Sequence, residues 1–242
     1  MHSKYLSPDV LVVVANYDFS SNADLLKDRF GIYFKTISID SSSPTPPRNV
    51  DFIIPNKYYP GLWNAAVKEA ISKNYQWLMF VASDLQIPDV DLLCGFAAEA
   101  LNLNEVGVWS PSVSSGSRVA FPILLNRASP SMRESGVVEG FFFMTRTKIL
   151  QSIYPIPDDF RFGWAVDVLT CHKSYQADLL CVVDDRVQIY HPQSKSEHQI
   201  DTNAANSEWP RFIRPEVLQQ SNLRQERLSN KVNLINKIPM KR

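Results

Sequence analysis

The sequence predicts an α/β protein built on a mostly parallel twisted sheet flanked by helices, with a helical extension at the C-terminus. Three observations lead there. In the run Asp9-Val10-Leu11-Val12-Val13-Val14-Ala15, every residue after Asp9 is apolar and the run is rich in β-branched residues, as a strand buried on both faces of a parallel sheet requires. Strand-like runs then alternate with polar loops and helix-length amphipathic segments, which is the order of a doubly wound sheet. Finally, 45% apolar residues in a chain of 242 supply one large core. The expected organisation is a body over residues 1–192 and an extension over 193–242 that packs on the body or on a partner.

The first strand leads through the polar loop 16–22 into a short helix over 23–30, with Ser21 or Asn22 as N-cap and Gly31 at its end. A second strand over 34–39 stops at Asp40, before a Ser/Pro-rich loop (SSSPTPP) that cannot be regular. A short strand over 50–54 precedes a helix opened by Pro60, in which Leu62, Ala66 and Ile71 lie close to one stripe. Next come a strand over 76–82 and a helix over 88–101. After Val106-Gly107-Val108-Trp109 the periodicity weakens over 110–136, and so long a stretch reads either as disordered or as a functional flap. Arg118, Arg127 and Arg133 lie in it, and one of them can close over a diphosphate as a lid. GFFFMT reads as a further strand, residues 146–153 as a helix, 160–176 as a loop entering a helix, and 179–191 as one or two strands. Beyond Pro192 the chain turns polar, with amphipathic pieces such as 214–223.

Composition narrows the function. The 25 basic and 25 acidic residues cancel, so no nucleic-acid or anionic-membrane partner is expected to bind through the bulk field, and any phosphate must be met locally. Cys94, Cys171 and Cys181 lack the paired spacing of a zinc site and read as reduced core residues. The opening MHSKYLSPDV has no apolar signal core, and no stretch approaches the roughly 18 apolar residues that span a bilayer. A soluble, cytoplasmic protein without an integral membrane segment is the expectation.

In an open parallel sheet, ligands bind beyond the carboxyl ends of the strands. Three such ends carry polar groups here: Asn16, Asp40, and Asp84 in Val81-Ala82-Ser83-Asp84. A carboxylate at a strand end is costly unless it is solvated, paired or bound to a cation. Asn and Asp at such positions also shape turns, so both readings stand at this point.

A family resemblance rests on these residues and their order. A strand ending in ANY, a second ending in Ile39-Asp40-Ser41, the segment NKYYPGLWNAA, the strand ending in Ser83-Asp84-Leu85, then FGWAVD and Tyr190-His191-Pro192, together resemble the GT-A glycosyltransferases, particularly the family 2-like group. The resemblance covers roughly residues 9 to 192 and implies a GT-A, Rossmann-like sheet. It implies that Ala15, Asn16, Tyr17 and Asp40 hold the base and ribose of a nucleotide-sugar, that Lys57 faces phosphate, and that Asn64 positions the loop of Asp84. Ser83 belongs with these donor-side residues. The family's Asp-x-Asp metal motif is reduced here to Ala82-Ser83-Asp84, so the metal ligands implied are Asp84 and the late His191, with Mn²⁺ favoured by the imidazole and Mg²⁺ the alternative. Asp167 of FGWAVD stands at the position of the catalytic base of inverting members, while Val166 replaces a second acid; Trp164 and Phe162 wall the sugar. Glu139 and Gly140 form the floor of the sugar pocket.

The resemblance therefore implies a metal-assisted hexosyltransferase, inverting if Asp167 is the base, that takes a UDP-sugar donor and a saccharide, lipid or protein acceptor. Asp167 also reads simply as a first-turn residue favoured by the helix dipole. Two other classes remain: a catalytically degenerate nucleotide- or sugar-binding scaffold, for which the replaced acids at 82 and 166 argue, and a nucleotidyltransferase, against which the loop ANYDFSSN, without Gly or Lys, argues.

Overall fold

A computed structural model describes residues 6–192 and 201–229. Its centre is an eight-stranded mixed sheet in the order β3-β2-β1-β4-β7-β5-β8-β6. The strands are β1 (Val10–Asn16), β2 (Lys35–Asp40), β3 (Phe52–Ile53), β4 (Trp77–Ala82), β5 (Val106–Val113), β6 (Met132–Glu134), β7 (Phe142–Arg146) and β8 (Leu180–Ile189). The helices are α1 (Ser20–Phe30), α2 (Tyr58–Ser72), α3 (Val90–Leu101), α4 (Thr147–Gln151), α5 (Val166–Gln176), α6 (Thr202–Glu208) and α7 (Pro215–Ser229).

The apolar runs end where the sequence says they must. β1 is buried along its whole length, flanked by parallel β2 and β4, and the register sets Asn16 beside Asp40 and Ala15 beside Ala82. β7 is inserted antiparallel between β4 and β5, so residues 139–141 enter the sheet at the edge where β1, β2 and β4 leave it. The aromatic core lies across this join: Phe80 and Phe143, partners in the β4–β7 ladder, stack with ring centroids 5.5 Å apart, and Tyr59 of α2 meets Phe80 edge-on at 5.6 Å. All three cysteines are buried and free.

Several boundaries move, and the reasons are local. α1 starts at Ser20, not at 23, and neither Ser21 nor Asn22 caps it. The Asn22 amide instead donates to the carbonyls of Ser83 (2.6 Å) and Leu85 (2.8 Å), so a tertiary use displaces the local one. α2 begins at Tyr58, ahead of Pro60, and β3 shrinks to two residues.

The stretch 110–136 is ordered. β5 continues to Val113, a 3-10 turn forms at Pro122–Leu124, and β6 pairs with β8. Its polar residues hid the strand: Ser110 and Ser112 are buried, and their hydroxyls donate to the carbonyls of Phe142 and Val187. Nor is Arg133 a lid. It is buried and paired with Asp185 at 2.8 Å, on the bulge where β8 loses register with β5, and it also donates to the Leu125 carbonyl at 3.0 Å.

The described part of the C-terminal extension, 201–229, packs on the body. Asp201 caps α6 by accepting from Asn203 and Ala204 N–H, Phe212 stacks on Phe160 with centroids 4.5 Å apart, and α7 lies against α5, with Arg224 over the Tyr175 ring at 3.4 Å.

Because Asp185 has no exposed side-chain surface, Arg133→Met leaves a buried carboxylate without its cation. A loss of about 3–5 kcal/mol is expected, read as a lower urea midpoint; an unshifted midpoint contradicts the anchoring role given to this pair.

Candidate active site

The polar ends of β1, β2 and β4 converge on Asn16. Its amide nitrogen donates to Asp40 Oδ1 at 2.6 Å and Ser43 Oγ at 3.1 Å, and its carbonyl oxygen accepts from Ser83 Oγ at 2.6 Å and Phe19 N–H at 3.1 Å. Asp40 accepts further from Ser43 N–H and Oγ, at 2.8 and 2.5 Å. Asn16 and Asp40 are both fully buried, so in this structure their polar atoms shape the rim loops. Ala15 is buried beside them, and the half-buried Tyr17 follows Asn16 out of the strand.

Next to Ser83 lies Asp84, and opposite it His191. His191 Nε2 is 3.2 Å from Asp84 Oδ2, while Nδ1 is 2.9 Å from the Arg118 carbonyl. A carbonyl only accepts, so the network assigns a proton to Nδ1 and points Nε2 at the carboxylate. Burial pulls the imidazole pKa down, but Asp84, the Arg118 carbonyl and the nearby Glu139 outweigh it, and the net shift is upward. The ring packs on Phe141, centroids 4.5 Å apart. The turn holding Asp84 is braced on both sides, by Asn22 and by paired N–H···O bonds between Gln86 and Tyr190.

This pair fits a divalent cation. One carboxylate oxygen and one imidazole nitrogen converge, and the imidazole is oriented through its other nitrogen as metal-binding histidines are. Among the described residues no group of three or more His, Cys, Asp or Glu converges, so further ligands would come from water and from a bound substrate.

Two more carboxyls lie close by. Asp167, in the first turn of α5, accepts from Gly140 N–H at 3.1 Å and from Val168 N–H at 2.8 Å. Burial nevertheless raises its pKa to about 6, those N–H bonds opposing. Glu139 is 7% exposed; one oxygen accepts from Ala120 N–H and the other has no hydrogen-bond partner. Burial lifts it to about 7, with the Ala120 bond opposing and the neighbouring Asp167 adding to the rise. The Tyr59 hydroxyl is likewise buried without a hydrogen-bond partner, and it occupies the space over Gly140, where a Cβ would come within 2.7 Å of it. Glycine at 140 is therefore required by Tyr59. The approach to Asp167 turns through two left-handed residues, Gly163 (φ 66°) and Ala165 (φ 67°), with the half-buried Trp164 between them. A non-glycine residue there stores about 1–2 kcal/mol of strain.

Beyond this centre a cleft of about 430 Å³ is lined by Asn56, Lys57, Tyr58, Asp158 and Arg161. Lys57 pairs across it with Asp158 at 2.8 Å, both side chains exposed, and the Arg161 guanidinium lies 4.7 Å above the Tyr58 ring, which in turn meets Phe162 at 5.7 Å. Asn64 does not reach the Asp84 loop. Its amide clasps the backbone of Ile156, donating to the carbonyl at 2.8 Å and accepting from the N–H at 2.9 Å, and so fixes the opposite wall of the cleft.

No protein-family model and no curated protein matches this chain. Solved structures do. The chain is similar to S. aureus TarS (residues 1–349), with a TM-score of 0.56 at 16% identity over 76% of this chain and 60% of that one. It is similar to the mannosyltransferase PcManGT from Pyrobaculum calidifontis in complex with GDP-Man and Mn²⁺, with a TM-score of 0.53 at 15% identity over 80% and 60%. GalNAc-T7 with UDP, GalNAc and Mn²⁺ gives 0.58 at 9% identity, over 77% and 43%. The chain has the GT-A fold. At such identities the likeness is one of fold, and this chain spans about three-fifths or less of each of those proteins.

Within the GT-A fold the structure joins Asn16, Asp40 and Ser83 in one network, pairs Asp84 with His191, and joins Gly140 to Asp167. The structure adds two residues the sequence does not single out, Tyr59 over Gly140 and Arg161 on the cleft wall. Tyr59 is one of two adjacent tyrosines at a helix start, and Arg161 stands in a loop without periodicity, so neither carries a signal that spacing reveals.

Glu139 gives a pH test. A carboxyl whose folded pKa is raised contributes stability below its unfolded value, near 4.3, and loses it as pH rises through about 7. Glu139→Gln keeps an acceptor for Ala120 and removes the buried charge. Relative to wild type it is expected to gain stability from pH 4.5 to pH 8, on the order of 1–3 kcal/mol; a difference in urea midpoint that is flat with pH would refute the assignment.

Proposed function

We propose that this chain is a divalent-metal-assisted glycosyltransferase, moving a sugar from a nucleoside-diphosphate donor, a UDP-sugar in the first instance, to an acceptor hydroxyl. One observation carries the reading: at the ligand-binding edge of a GT-A sheet, Asp84 and His191 face each other at 3.2 Å, while Asp167 stands on the adjoining wall, bonded to Gly140 N–H. Bound UDP or GDP-Man with Mn²⁺ in proteins of this fold supports the donor class and the metal.

In this reading Asp84 and His191 hold Mn²⁺ or Mg²⁺, and Lys57 and Arg161 provide local positive charge for the donor's phosphates. The metal, when bound, supplies Lewis-acid stabilisation to the departing diphosphate. Ala15, Asn16, Tyr17, Asp40 and Ser83 shape the nucleotide's seat, with Asn16 and Asp40 fixing the loops. Trp164, Glu139 and Gly140 border the sugar, with Asn64 holding the far wall. Asp167 takes the proton of the acceptor hydroxyl as it attacks, which implies inversion. A pKa near 6 leaves Asp167 ionised at neutral pH yet basic enough to accept a proton.

The lack of a three-ligand cluster among the described residues favours one second reading, a catalytically silent nucleotide-binding scaffold. Calorimetric titration of UDP separates the readings in part: binding that needs Mn²⁺, is abolished by EDTA, and is lost in Asp84→Ala and His191→Ala is expected. Turnover of a UDP-sugar completes the separation, since a scaffold binds without turnover.

The base role has its own test. The rate constant kcat/KM is expected to fall as pH drops through about 6, because Asp167 works ionised, and Asp167→Asn should cost roughly 10²–10⁴ in kcat with nucleotide affinity retained. A product of retained anomeric configuration would remove the role.

A further inference from the structure

The loop 157–165 forms one wall of the cleft and leads into the first turn of α5, yet it makes few bonds of its own. Within it the backbone bonds are Phe160 N–H to Pro157 O and, at its exit, Val166 N–H to Gly163 O. Its entry is held by the Asn64 clasp on Ile156. In its middle the body reaches only side chains, Lys57 pairing with Asp158 and the Tyr58 hydroxyl meeting the Arg161 guanidinium, while the backbone is held by the C-terminal segment. At the end of α6, the Glu208 carboxylate accepts from two consecutive backbone N–H groups, Oε1 from Arg161 at 2.6 Å and Oε2 from Phe162 at 2.8 Å. The stacked pair Phe160–Phe212, with an interplanar angle of 7°, reinforces the same contact, and Ile213 behind it is buried.

We infer that the C-terminal segment is a working part of the site, with Glu208 as a positioning residue that fixes the loop 157–165 and, through it, Arg161 and Asp167. A carboxylate on two adjacent N–H groups is a charge-assisted, two-point contact, which sets the direction of the chain as well as its place. Arg161 and Phe162 occupy the positions just before left-handed Gly163 and Ala165, so their orientation dictates how the strained turn presents Asp167. Nothing else competes for this grip: among the described residues, no other side chain is bonded to those two amides. The inference rests on the proposed function for what the loop serves, but not for the grip itself.

The experiment compares wild type, Glu208→Ala and Glu208→Gln in the full chain by amide hydrogen exchange, with UDP·Mn²⁺ titration alongside. Glu208→Ala is expected to speed exchange at Arg161, Phe162 and the first turn of α5 by tenfold or more, leaving β1 and β4 unchanged, and to weaken UDP binding several-fold. Glu208→Gln, which keeps one acceptor oxygen, should recover part of both. Unchanged exchange at Arg161 and Phe162 overturns the grip. Faster exchange there with native exchange in the first turn of α5 and native UDP affinity overturns the positioning role. If wild-type protein binds no UDP, the proposed function fails, and the exchange data alone decide the inference.

Discussion

The amide of Asn16 is the constraint on which the site depends. A buried side-chain amide has two donors and an acceptor to satisfy, and here they reach three chain segments: the nitrogen donates to Asp40 and Ser43 at the end of β2, and the oxygen accepts from Phe19 at the entry to α1 and from Ser83 beyond β4. Three loops that follow three strands are thereby set relative to one another. Any movement of one breaks a buried hydrogen bond, and leaving such a partner unmet costs about 1–3 kcal/mol. Asp84, one residue past Ser83, inherits its position from that network.

The antiparallel β7 does the complementary task. A parallel strand in its place would deliver its C-terminal end to the site and would need a crossover to reach it. Running the other way, β7 brings in its N-terminal approach, Glu139-Gly140-Phe141, pinned by the Ala82 N–H to Phe141 carbonyl bond at 2.8 Å. Phe141 then packs on His191, Gly140 donates to Asp167, and Glu139 reaches Ala120. One short segment thus touches the imidazole, the carboxyl on α5 and the loop that orients the imidazole.

The centre of the parallel half was legible because β1 and β4 are buried on both faces and their apolar runs are broken by a polar group only near the end. The polar termini Asn16, Asp40 and Asp84 were legible for the same reason, each standing where such a run gives out. What sequence could not tell is how those groups spend their hydrogen-bonding capacity: Asp40 looks like an open ligand-binding carboxylate in one dimension and is a closed loop anchor in three. In the second half of the sheet β7 and β8 were legible as apolar runs, but the end of β5 hid behind the buried Ser110 and Ser112, whose hydroxyls bond to carbonyls, since a pattern of apolar residues does not register a satisfied polar group. The start of α1 moved to Ser20, with neither cap candidate used: Asn22 is recruited to the Asp84 turn and Ser21 caps nothing.

The alanine at position 82 has a physical counterpart in the charges around it. Ala82, the last residue of β4, donates its N–H to Phe141, immediately after Gly140, so a carboxylate there would bring a further negative charge to the end of the sheet that carries Asp84 and Glu139. Those two carboxyls are already pushed toward their neutral forms by burial, and Asp167 adds to the rise at Glu139. A further negative charge would push them higher, and Asp167 at about 6 has little room before it ceases to be ionised at neutral pH. With one carboxylate and one imidazole in place of two carboxylates, the Asp84–His191 pair carries less negative charge.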